Sequence, residues 1–203
     1  MRHLSIILSM GFRGTTSALY RGVKRHFMLA VLACLAIPAS CATLARLSFE
    51  DMAAQSHLIV RGKVTDSWAA ITNRIIYTHY KIQISETFKG TAAGSLEIMV
   101  PGGTVNGMHL TISGSPALNK GDEYVFFLWT SKAGITWITG LTQGLFALSA
   151  DGSTDPTARR AASPELMLDP ATARPVKDVA LSMRLSDLRS RIAAALAAQG
   201  SGQ

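Results

Sequence analysis

Cysteine is nearly absent: the 203 residues include two, Cys34 and Cys41. That excludes a disulfide-stapled scaffold and a four-cysteine zinc site. Charge is also scarce, with 16% charged against 48% hydrophobic residues, a balance that excludes intrinsic disorder. The main apolar run, Phe27 to Ala39, has 13 residues, short of the roughly 20 that cross a bilayer. No Gly-x-x-x-x-Gly-Lys loop, Gly-x-Gly-x-x-Gly turn or Gly-x-Ser-x-Gly elbow occurs. Gly140 to Gly144 (GLTQG) has the elbow's outline with Thr142 in the nucleophile place. It joins two expected strands, however, where an elbow joins strand to helix, so it reads as a turn.

What is present begins with a basic flank. The net charge of +7 is concentrated at the N-terminus, where residues 1–42 hold Arg2, Arg13, Arg21, Lys24 and Arg25 and no acid. The remainder is nearly neutral, which removes the argument from pI for a nucleic-acid partner. Lys24 and Arg25, the apolar run, Pro38 and the small residues Ser40 and Ala42 follow in the order of an export signal. Residues 1–42 are therefore expected to be a signal peptide cleaved after Ala42, with Ala45 as a second option and Met10 as an internal start. Cleavage there leaves a mature chain with no cysteine and no transmembrane span, exported to the periplasm or outside the cell. A lipid anchor at Cys41 is the disfavoured alternative, because Pro38 stands where such signals place Leu.

Beyond Ala42 the periodicity is that of strands. Leu47 to Gln55 predicts a short helix, with Ser48 as N-cap and Asp51 three residues on. His57 to Asp66 alternates Leu58, Val60, Gly62 and Val64 with Ile59, Arg61, Lys63 and Thr65, a half-buried strand in which Gly62 marks a bulge or bend. Arg74 to Phe88 places Tyr80, Ile82, Ile84 and Phe88 on one face and Lys81, Gln83 and Ser85 on the other. Further strands are expected over 95–100, 108–113, 123–130, 135–139 and 144–149, the last of the set. Glu123 to Thr130 (EYVFFLWT) is apolar on both faces and so should be central or covered. Seven short strands with Gly- and Pro-containing turns, and no helix between them, predict an all-β domain, an antiparallel barrel or sandwich, over 43–150. Residues 151–183, with four prolines, read as a linker or long loop. Residues 184–203 read as an amphipathic helix and tail, with Ser186 as cap and Leu185, Leu188, Ile192 and Leu196 as its apolar stripe.

Chemistry-bearing residues are dispersed. His57, His79 and His109 fall on three expected strands with no metal-ligand spacing, so no metal, cofactor or catalytic set is assigned. Glu86, Glu97, Asp122 and Glu123 lie near strand ends and read as solvated. The outward face of the first two strands carries the binding candidates Arg61, Lys63, Trp68, Tyr77, His79 and Lys81. Basic and aromatic residues interleaved this way hold single strands of nucleic acid on some small barrels. Export argues instead for a glycan, an anionic surface or a protein. Trp129 and Trp137, on apolar strands, read as packing; Trp68, in an expected loop, reads as exposed.

Two resemblances follow from these residues. Ser56 to Val64 (SHLIVRGKV), followed by Tyr80 to Gly90 (YKIQISETFKG), resembles the opening of the inhibitory domain of tissue inhibitors of metalloproteinases and the related netrin-like modules. The wider pattern from Leu47 to Leu148 resembles a set of uncharacterised exported bacterial proteins. The pattern comprises a Val-x-Gly-x-Val strand, a Lys-Gly turn, Pro101-Gly-Gly103, the GDEYVFFL strand and the QGLF ending. The first resemblance implies an OB-like five-stranded barrel. It does not carry the inhibitor's activity, which needs a disulfide-held N-terminal cysteine. The expectation is thus an exported, OB-like binding or accessory module without enzymatic activity. The alternatives are a hydrolase with a dispersed site or a protease-inhibitor-like module.

Overall fold

A computed structural model of the chain describes residues 43–92 and 94–200. The expected signal peptide, its cleavage site and both cysteines lie outside the described residues. The fold is mainly β, with two helices and an eight-stranded sheet. Among the described residues no helix is long and apolar enough to cross a membrane.

After a short strand β1 (Thr43–Ala45), helix α1 (Phe49–Gln55) begins where the sequence places it: Ser48 Oγ accepts from the Asp51 backbone N–H at 2.9 Å. At the other end Lys89 Nζ donates to the carbonyls of Ala53 and Ala54, at 2.7 and 3.0 Å, so a cation closes the negative end of the helix. Burial there lowers the pKa of this ammonium.

Strands β2 (Leu58–Thr72) and β3 (Ile75–Lys89) form a hairpin of 15 residues a side. Asn73 and Arg74, both at positive φ, make its two-residue turn. Tyr80 and Ile82 are buried while Lys81 and Gln83 face solvent, as the alternation requires. Phe88 departs from the expected face. A register shift that leaves Ser85 without a partner on β2 switches the parity of the residues after it, Phe88 included. Phe88 therefore packs with the helices and not with Tyr80 and Ile82. Trp68, expected in a loop, is a strand residue directly opposite His79.

β4 (Ser95–Pro101) pairs with β3, and a small separate hairpin follows, β5 (Gly103–Val105) with β6 (Met108–Leu110). The latter is half the expected length. β7 (Glu123–Thr130) lies against β2, and its other edge is shared by β8 (Thr136–Ile138) and β9 (Leu145–Leu148). β8 also touches β4 in parallel, through Met99 and Trp137. The 3-10 turn Leu141–Gly144 holds Thr142 between two strands.

β9 is not the last strand. The Pro-rich segment expected as a linker or loop contributes β10 (Thr157–Arg160), β11 (Leu166–Leu168), β12 (Pro175–Val176) and β13 (Leu181–Arg184). β10 and β13 extend the main sheet beyond β9, while β11 takes β1 as a parallel partner. Helix α2 (Leu185–Gly200) follows without a break. Ser186 does not cap it by itself: Ser186 N and Oγ both donate to the carboxylate of Asp155, each at 2.8 Å.

β7 separates two apolar clusters, and its alternation serves both. Val125 and Phe127 join Ile59, Phe146, α1 and the Leu185, Leu188 and Ile192 stripe of α2. Tyr124, Phe126 and Leu128 join Val60, Val64, Tyr80, Ile82, Ile98 and Val100 on the opposite face. Phe126, Phe127 and Phe146 are fully buried, each stabilising by about 1.5–3 kcal/mol.

Candidate functional site

Beyond the cover of the two helices, the outer face of the sheet carries a transverse row of side chains. Trp68 on β2 faces His79 on β3; His79 faces Met99 on β4; Met99 faces Trp137 on β8; Trp137 faces Trp129 on β7. Each step is a direct cross-strand partner. Strands lie about 4.8 Å apart, so the row advances by that much at each step around the curve of the sheet.

The rings contact one another. Trp68 stacks on His79 with centroids 5.2 Å apart and planes within 10°. Trp129 stacks on Trp137 at 6.3 Å and 22°, and Tyr77 meets Trp137 edge-on at 5.5 Å. Such ring pairs hold their orientation by packing and quadrupole geometry. The row is open at its ends, where Trp68 is 43% and Trp129 is 39% exposed, and floored by the buried Met99. His79 Nδ1 shares a 2.6 Å hydrogen bond with Glu97 Oε1, while its Nε2 is buried without a partner. No protein-family model matches this chain, and no curated protein matches it.

The structure thus brings together three of the six binding candidates, Trp68, Tyr77 and His79. Lys81 is one pleat away, between its cross-strand partners Asp66 and Glu97. Lys63 is exposed farther along β2. Arg61 is not available: it makes a two-point contact with Glu123 at 2.9 and 2.8 Å, and Ser85 Oγ donates to the same carboxylate. Glu123 thus engages Arg61, and acids flank Lys81 in the register, which weakens the charge-based reading of the surface.

Trp129 and Trp137 pack on each other, and Trp137 on Tyr77, while Trp129 is also 39% exposed. An apolar strand can bury one face and show aromatics on the other, and β7 does so at its end, where the helices no longer cover it. The histidines do not converge. His57 Nδ1 accepts from the Thr130 N–H, and His109 sits between the hydroxyls of Thr104 and Thr111. Among the described residues no three His, Cys, Asp or Glu side chains are grouped to hold a metal. Sequence reasoning also missed Gln143. It is buried, and its amide clamps the segment before α1, accepting from Leu47 N and donating to Ala45 O at 2.9 and 3.0 Å.

Proposed function

We propose that the chain is an exported, non-enzymatic binding module on an OB-like five-stranded barrel, and that the row from Trp68 to Trp129 takes an extended glycan by ring stacking. The observation that carries this reading is the row itself. Trp68 and Trp129 at its ends stay 43% and 39% exposed, and a contiguous exposed aromatic patch marks an interaction surface. The flat apolar faces of sugar rings match indole faces, and their edge hydroxyls suit the polar residues beside the row. Support for the barrel comes from β8: the path β7–β2–β3–β4–β8 returns to β7 through hydrogen-bonded pairs. Because Lys81 lies between Asp66 and Glu97, and Arg61 on Glu123, stacking and not charge is the main attraction.

Affinity electrophoresis through gels containing soluble β-glucan, dextran or polygalacturonate tests this. At least one polymer should retard the protein, retardation should persist in high salt, and Trp68→Ala and Trp129→Ala should each abolish most of it. Retardation by none, or retardation of both variants equal to that of the wild type, contradicts the reading.

A further inference from the structure

On the helical side of the molecule a cleft of about 200 Å³ opens between α1 and the β10–β13 edge, lined by Arg46, Phe49, Glu50, Arg160, Leu181 and Arg191 among others. We infer that this cleft is a binding site for a small oxyanion, a carboxylate or phosphate, separate from the aromatic row.

Arg160 is the fixed element. Its side chain is only 9% exposed, and Nη2 donates to Asp178 Oδ1 at 2.8 Å and to the Val179 carbonyl at 2.7 Å. Asp178, 2% exposed, is itself held by the Ser163 N–H at 2.8 Å. Yet Arg160 Nε is buried with no acceptor. Buried N–H groups without acceptors are rare, and an unfilled ligand position is one physical reason for such a group. Arg191 contributes a second guanidinium, positioned 4.2 Å over the Phe49 ring, and its approach to Glu50 is a loose 3.6 Å. Arg46 adds a third, exposed at the rim. With Asp178 committed to Arg160, Glu50 is the one acid among the lining residues beside Arg46 and Arg191, and Asp169, outside the lining, acts on Arg46. Planar guanidinium forks match two-oxygen anions, while Phe49 and Leu181 offer apolar surface to a small carbon body. A water takes about 30 Å³ in the liquid, so the cleft admits a molecule of organic-acid size.

Calorimetric titration of the full chain with galacturonate, and separately with inorganic phosphate, provides the test. Saturable binding is expected for at least one. Galacturonate alone marks a carboxylate on a carbon ring as the ligand, and both together mark a general oxyanion site. Arg46→Gln and Arg191→Gln should each weaken binding about tenfold, the scale of one lost charge-assisted contact. Arg74→Gln, at the β2–β3 turn and outside the cleft, should leave it unchanged, as should Trp68→Ala, so this site fails or stands apart from the aromatic row. Melting curves identify any variant that has lost its fold, and the other then decides. Absence of saturable binding to either anion, or an equal loss in Arg74→Gln, overturns the site.

Discussion

Gly62 shows how closely two strands meet at the start of the sheet. A Cβ built there lies 2.5 Å from Ile82 Cγ2 and 2.9 Å from the Gln83 carbonyl. The second contact is with backbone, which cannot rotate away. Gly62→Val should therefore destabilise by about 1–3 kcal/mol, the usual cost of overfilling a packed interior, as read from the urea midpoint. The position was legible: a glycine inside an alternating strand signals a bulge or a close approach. The register shift is indeed there, although the unpaired residue, Ser85, sits on the partner strand. Other residues were not legible. Trp68 and His79 are 11 positions apart, and only the hairpin register makes them partners. His79 and Glu97 meet across a further strand. Cross-strand pairing joins residues by topology, and the sequence pattern around either one does not contain its partner.

Among the elements, α2 depends on a distant acid. Asp155 accepts from the backbone and side chain of Ser186, and these bonds hold its pKa below the ordinary carboxylate value of 3.8. A depressed carboxylate stabilises the fold above its ordinary value and loses that effect as pH falls through the folded value. Asp155→Asn should thus melt below the wild type at neutral pH, and the difference should vanish as the pH falls well under 3.8, followed by circular dichroism. The helix and its stripe were readable from 3.6-residue spacing. Its cap was not, because Ser186 fits a local signature while the acceptor lies 31 residues earlier. The Pro-rich stretch misled for a related reason. β10 to β13 are two to four residues each, too short for a period of two to show. The prolines flank these strands or, as with Pro175, sit at the start of one.

For the whole molecule, β7 places phenylalanines on both faces of the sheet, and two apolar clusters follow from that one strand. The sequence made this visible, because a run that is apolar on both faces must be covered twice. It left open where the helical cover stops. The change from covered Phe127 to open Trp129 depends on where α1 and α2 dock, and it leaves an aromatic of an apolar strand 39% exposed. All 3 tryptophans of the chain lie on the aromatic row, so intrinsic fluorescence reports on it without a label. The decisive measurement is tryptophan emission and acrylamide quenching while the protein is titrated with the oligosaccharide of whichever polymer retards it. The account predicts a saturable emission shift with protection from quencher, lost in Trp68→Ala and Trp129→Ala. Saturable glycan binding that leaves emission and quenching unchanged would contradict it.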